Sequence, residues 1–395
     1  MYHLLFRNID IWYINIYKNI FFIYNMNEPT IVTAFYNIRE IDENYSPNNR
    51  GIDEYLELAK EFILQLPYPM VIYIDTTSGC AKIVEFIKNN RPYKNKTQII
   101  REPFENTYFY KDIDRLRELQ QIYPIYNGRL EHETPHYIVL NNNKFWWLEQ
   151  TIRENPFSSE RFMWMDFGIN HVARNVEKIH TWIHDIPKKI RQMCINPLVE
   201  SNDYKNVFHT IYHHYAGGLF SGSAEYMMKY IDEYKSTTEK IYSENWYQID
   251  EAVMTIVHNE NPEWFDDFYG DYIGIIANYK EPEFSWHLIF SAIKKYMDRN
   301  NLHAVQKILD YMEYVITNQY EYNDNSQYFI MWSIICNYYT NNHMLKPMIV
   351  QLINKELQLE NKRVEFLLRQ NHNNIEYYTN KNELLYERLL TSPFI

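Results

Sequence analysis

Residues 161–168 constrain the fold of this chain more than any other stretch. Phe162, Met163, Trp164 and Met165 form an apolar run after a turn marked by Asn155, Pro156 and Ser158, and the run stops at Asp166 and Gly168. A short apolar run bounded by turn residues predicts a buried strand. Its end delivers one carboxylate to the strand's C-terminal edge, where ligands bind in open α/β sheets. A charge at the end of such a strand must be solvated, paired or bound to a cation.

The surrounding pattern supports a sheet of that kind. Residues 30–35 predict the first strand, followed by a polar loop with Pro47 and Gly51. Ile52, Tyr55, Leu56, Ala59, Phe62 and Ile63 recur at helical spacing and predict a helix over 52–65. Pro67 and Pro69 close it ahead of a strand at 70–74, and a helix at 81–88 and a strand at 97–100 follow. A helix over 137–154 leads directly into the key strand. Beyond it the pattern predicts short strands at 193–195 and 211–215, a glycine turn at 217–222, and helices at 224–234 and 250–258. Strands alternating with helices imply a mostly parallel sheet covered on both faces.

After residue 278 the texture changes. Stretches at 284–297, 305–316, 328–339 and 345–359 have helical apolar spacing and are joined by Asn-rich turns, as in a repeat-like array of helical hairpins. The expected organisation is therefore an appendage at 1–28, an α/β domain at 29–278 and an all-α region at 279–395. Residues 1–25 are aromatic and Ile-rich, but Arg7, Asp10 and Lys18 interrupt them. A spanning helix needs about 20 predominantly apolar residues, so no clear membrane span is expected, and Met26 is an alternative start.

Charge and cysteines narrow the function. The net charge is −12 and there is no long Lys/Arg cluster, which argues against a nucleic-acid binder. An acidic protein still binds an anionic nucleotide where one pocket is locally basic or metal-loaded. Cys80, Cys194 and Cys336 are odd in number and widely spaced. That pattern indicates neither a disulfide framework nor a zinc site, and suits a reducing, cytoplasmic compartment. No Gly-x-Ser-x-Gly elbow, Walker loop or His-Glu-x-x-His occurs.

Several residues are candidates for chemistry. Thr33, Ala34 and Phe35 end the first strand, beside which a nucleotide lies in doubly wound sheets; the bland alternative is a core strand. Arg50 has the forked donors that suit a pyrophosphate, against a solvated loop arginine. Lys144 offers a point charge for a diphosphate, against a surface lysine beside Trp146 and Trp147. Asp166 suits Mn²⁺ or Mg²⁺, which prefer carboxylate oxygen and bridge to phosphates; the alternative is an Asp capping a turn. Gly217, Gly218 and Gly222 concentrate three of the nine glycines in six residues, where they allow positive φ and close backbone approach. Asp250 and Glu251 open a helix and either cap it or act as a general base on an acceptor hydroxyl. His213 and His214 point to opposite faces if they lie on a strand, so they do not chelate one metal together.

Taken in order, the residues at 32–35, 155–157, 162–168 and 216–222, with Asp250, Glu251, Gly270, Asp271 and Tyr272, resemble the HtrL/YibB family of glycosyltransferase-like proteins. That family occurs in bacterial surface-polysaccharide loci and large DNA viruses, and the Tyr/Asn/Ile-rich composition also resembles that of a giant-virus protein. The resemblance spans roughly 29–278. It implies a GT-A-like (Rossmann-like) α/β fold that takes a nucleotide-sugar donor, a divalent metal and a glycan or glycoprotein acceptor. By position, Asp166 matches the acidic metal motif, Thr33 to Phe35 the nucleotide strand, Lys144 the preceding helix lysine, and Gly217 and Gly218 the donor-side glycines. One departure stands out: such enzymes carry Asp-x-Asp, whereas here Gly168 replaces the second carboxylate, so Asp271 or His258 becomes the candidate second ligand. A second reading is a catalytically degenerate transferase domain that binds partners, with a protein docking on 279–395. A third, a metal-dependent hydrolase, lacks a second carboxylate beside Asp166.

Overall fold

The computed structural model describes residues 28–280, apart from 46–49, 78, 123–124, 126–128, 130–131, 196–203, 210, 212 and 270–271. The chain divides into two compact units, 1–288 and 289–395. The described residues all belong to the first. The expected helical array and the N-terminal appendage up to residue 27 lie outside them.

Seven strands form one sheet: β1 (Thr30–Phe35), β2 (Met70–Ile74), β3 (Thr97–Arg101), β4 (Arg161–Met165), β5 (Arg191–Cys194), β6 (Tyr215–Ser223) and β7 (Phe268–Tyr269). Their spatial order is β3-β2-β1-β4-β6-β5-β7. β1 pairs in parallel with β2 and β4, β2 with β3, and β5 with β7. β6 alone is reversed, antiparallel to β4 and β5. The sheet is thus mixed and mostly parallel, as expected, and its strand order turns back between β1 and β4. That reversal is a topological switch point, where α/β sheets open a ligand crevice at their C-terminal edge.

Six longer helices pack around it: α1 (Ile52–Glu61), α2 (Cys80–Asn90), α3 (Ile113–Ile122), α4 (Pro135–Glu154), α5 (Ala224–Ser243) and α6 (Asp250–Glu260). Alternation along the strands fills a core on each face. Ile31, Ile72 and Met163 pack with α1 and α2 residues on one side. Val32, Val71 and Trp164 pack with α3 to α6 residues on the other. A parallel sheet covered on both faces has such near-continuous apolar strands.

α4 illustrates how local sequence sets the frame of the site. Thr134 caps it by accepting from the Tyr137 amide at 3.3 Å, and Pro135 follows in the first turn. Both are ordinary start signals. The helix stops at Asn155, which is left-handed at φ 42°. Between these ends Ile138, Val139, Phe145, Trp147 and Leu148 are buried, with Lys144 among them.

One expected element is different. Residues 215–223 form β6, where the sequence predicts a strand at 211–215 and then a glycine turn. Glycine weakens a strand interior, and there it often marks close approach of another group. None of the described glycines has a positive φ, so their use here is proximity. The neighbours of Gly217 supply the reason.

Candidate functional site

The C-terminal edge of β4, the start of β6, the middle of α4 and the first turn of α6 meet at one place. The backbone amide of Asp166, just past β4, donates to the Gly218 carbonyl at 2.9 Å. Its side chain is 40 % exposed, the most open carboxylate of the group. Trp164 Nε1 donates to Asp166 Oδ1 at 2.8 Å. Trp164 and Asp166 are two residues apart, so both point to one face, a signal the sequence already carried.

Lys144 is no surface lysine: it is 6 % exposed. Its Nζ donates to Asp250 Oδ2 at 2.8 Å and to the Gly217 carbonyl at 3.1 Å, and lies 3.5 Å from Asp166 Oδ1. Burial opposes the ammonium, but the carboxylates of Asp166 and Asp250 outweigh it and hold Lys144 well above the ordinary lysine range. The charge is therefore fixed at neutral pH. The raised lysine contributes stability that is fully present below the ordinary, unfolded-state lysine pKa and is lost as pH rises from there through the folded-state value.

Asp250 and Glu251 occupy the first two positions of α6, after Ile249, and neither acts as its N-cap. Their charges favour the helix N-terminus electrostatically, yet both side chains are turned to other work. Asp250 receives Lys144. Glu251 accepts the Gly217 amide on Oε1 at 2.9 Å, the Tyr272 hydroxyl on the same oxygen, and His213 Nδ1 on Oε2 at 2.6 Å. Burial pushes the Glu251 carboxyl up, but these hydrogen bonds together overcome it and hold it below its usual range.

The glycines now have a physical account. A Cβ on Gly217 would sit 2.5 Å from Asp250 Oδ2 and 3.2 Å from Lys144 Nζ. Asp250 is clamped by Lys144 and has no easy retreat. Gly217→Ala is expected to cost about 1–3 kcal/mol, as overpacking of a filled site does, and to pry Asp250 from Lys144. Urea unfolding measures the first effect. Gly168 is explained in the same way: a Cβ there would meet the Tyr55 ring at 2.8 Å. The second aspartate of an Asp-x-Asp pattern is absent where an aromatic ring has taken its space.

Other expected site residues are placed nearby but differently. Thr33 is fully buried on β1, its Oγ1 without a hydrogen-bond partner among the described residues. Ala34 is partly buried, and Phe35 packs its ring against Phe167 and Tyr55 at 5.0 and 5.8 Å. The Arg50 guanidinium lies 5.4 Å over the Tyr55 ring, its Nε buried and without a hydrogen-bond partner among the described residues. Thr33 to Phe35 end β1 beside the switch point, and Phe35 and Arg50 both meet the Tyr55 ring. Asp271 lies outside the described residues. His258 is bonded to Asp267 at 2.6 Å. Sequence reasoning missed the roles of Trp164, His213 and Tyr272 as partners of the carboxylates.

A divalent cation can be tested against these donors. Among the described residues no group of three or more His, Cys, Asp and Glu is arranged to hold a metal. Asp166 Oδ1 is occupied by Trp164 and faces Lys144, so Oδ2, on the Gly218 side, is the oxygen left for a cation. One hard carboxylate oxygen fits Mg²⁺ or Mn²⁺ of the kind held by one carboxylate together with substrate phosphates and water. It does not fit a cation caged by protein alone.

A family model described as "Bacterial protein of unknown function (HtrL_YibB)" matches residues 27–280. No curated protein matches the chain. Among solved structures, the chain is similar to apo mouse xyloside xylosyltransferase 1 at 10 % identity and a TM-score of 0.35, over 61 % of this chain and 84 % of that one. No helix among the described residues is long and apolar enough to cross a membrane.

Proposed function

The chain belongs to the HtrL_YibB family, and from that premise we propose that it is a GT-A-like glycosyltransferase moving a sugar from a nucleotide-sugar donor to a glycan or glycoprotein acceptor. The observation that carries this reading is the pairing of a half-open carboxylate with a buried cation at the switch point. Asp166 is exposed there, and Lys144, 3.5 Å away, is held in place by Asp250 and the Gly217 carbonyl. Ligands enter open α/β sheets at this edge.

In this reading the nucleotide lies along the end of β1, with Thr33, Ala34 and Phe35 beneath it and Arg50 beside it. The donor diphosphate lies over Asp166 and Gly218, which has no side chain to obstruct it. Asp166 Oδ2 would hold a divalent cation there together with the phosphates. Bound there, the cation supplies positive charge against the charge that develops on the leaving diphosphate. Lys144 adds a second, permanent positive charge from below, and Asp250 fixes its position. The acceptor enters on the side of the α6 N-terminus.

A thermal-shift screen of UDP-, GDP-, CMP- and dTDP-sugars, with and without Mn²⁺, tests this directly. A ligand at a hundred times its dissociation constant adds about 2.7 kcal/mol of stability. One nucleotide class is expected to raise the melting midpoint, more so with Mn²⁺. No shift with any donor would sink the transferase reading and favour a binding module.

A further inference from the structure

His213 has no part in the proposed donor site, yet it is held beside it by Glu251 and Tyr272. Its Nδ1 faces Glu251 Oε2 at 2.6 Å and lies 3.3 Å from the Tyr272 hydroxyl. The Tyr272 ring stands edge-on to the imidazole, with centroids 5.8 Å apart and planes at 82°. The partner carboxylate is 8 % exposed, whereas the imidazole is 46 % exposed. A buried anion thus holds one edge of a ring whose body reaches the surface. His213 also has a φ of 45°. Left-handed backbone is uncommon outside glycine, although histidine adopts it more readily than most residues. The other non-glycine residues with positive φ are Asn or Ser.

Neither acidic residue of the α6 first turn is placed to take a substrate proton. Asp250 Oδ2 is bonded to Lys144. Glu251 already accepts from an amide, a hydroxyl and an imidazole. The same carboxylate does suit a different task. A carboxylate on one ring nitrogen fixes the tautomer and stabilises the imidazolium that forms when the other nitrogen accepts a proton. The dyad is also next to the donor site, because Gly217, which donates to Glu251, precedes Gly218, whose Cα face lies against Asp166 Oδ2.

We infer that His213 is the general base of the transfer, oriented by Glu251 and Tyr272, and that transfer inverts the anomeric centre. This rests on the transferase reading above. The acceptor hydroxyl gives its proton to His213 Nε2 as its oxygen attacks the anomeric carbon. The bond from that carbon to the diphosphate oxygen breaks, and its electron pair leaves with the nucleoside diphosphate. The imidazolium, paired with Glu251, then returns its proton to solvent.

The test uses the full chain carrying His213→Gly, a change that suits a left-handed backbone, with His213→Asn as a second variant in case the first does not fold. The nucleotide sugar that shifts the melting midpoint serves as donor, with p-nitrophenyl glycosides and water as acceptors. Release of nucleoside diphosphate is expected to fall about 10²–10⁴-fold, the usual contribution of a general base. Donor affinity should stay within about threefold, because a base contributes to the chemical step and not to uniform donor binding. Added imidazole should restore part of the rate, and the product should carry the inverted configuration. A variant as fast as the parent, a loss that imidazole leaves untouched, or a retained configuration overturns the assignment of His213. A parent chain that binds no donor overturns the transferase reading instead, and this inference with it.

Discussion

Replacing Lys144 with methionine is expected to lower the unfolding free energy by about 3–5 kcal/mol, the cost of removing one partner of a buried ion pair. The methionine fills the lysine's space, so lost packing is a small part of the effect. The loss is electrostatic. Asp250 is 3 % exposed, burial already pushes its carboxyl up, and Lys144 is the charge that chiefly opposes that push. Without it the carboxylate either stays ionised and unpaired or takes up a proton. The sign of the pH dependence follows. In the variant the folded-state pKa of Asp250 lies above its unfolded value, so stability is regained as pH falls and protonation neutralises it. Urea unfolding of the Lys144→Met chain should therefore show a smaller deficit near pH 5 than at pH 8. A companion Lys144→Met, Asp250→Leu chain removes both charges and should recover much of the loss. An equal deficit at both pH values, or no recovery in the double variant, would mean that the pair is not what stabilises this region.

Asp166→Asn is the complementary case, with a large effect on chemistry and a small one on the fold. The side chain is 40 % exposed, its backbone amide keeps the Gly218 carbonyl, and an asparagine Oδ1 still accepts from Trp164. The melting midpoint should move little, by under about 1 kcal/mol of stability, since Lys144 keeps Asp250 and Asp166 is the solvated member of its 3.5 Å pair. An amide is a poor ligand for a hard divalent cation compared with a carboxylate. Charge stabilisation of the leaving diphosphate is a matter of several kcal/mol, so transfer should drop by about 10³-fold or more. The Mn²⁺-dependent part of the thermal shift should disappear with it. An Asp166→Asn chain that transfers sugar at the parent rate would exclude Asp166 from the donor site.

How far the sequence revealed this site depended on whether the deciding contact was local. Asp166 was legible because an apolar run ending in one charge is a strand-end pattern. The position of Lys144 on a helix was legible too, but its burial was not. Helical spacing puts it near Phe145 and Trp147 without saying that a carboxylate from α6 comes to meet it. The same holds at Gly217. Three glycines in six residues read as a turn by local chemistry, and only the approach of Asp250 makes the first of them, Gly217, a requirement of a strand. His213 and His214 were set aside because adjacent strand residues cannot share one metal. β6 begins only at Tyr215 and His213 is left-handed, so the alternation assumed there does not apply, and it also misses that one of the two could pair with a carboxylate. The exchange of the second acidic position for Gly168 was visible in the sequence, and its cause, the Tyr55 ring, was not.

The ion pair at the heart of the site joins residues 106 positions apart in the chain, and the Glu251 bond to Gly217 spans another 34. Contacts so distant in sequence carry a loop-closure entropy cost. No intermediate that lacks β6 or α6 has any version of the site, and no proteolytic fragment cut between α4 and α6 would retain it on one chain. Whatever this edge of the sheet binds, it therefore binds only where β6 and α6 both stand beside α4.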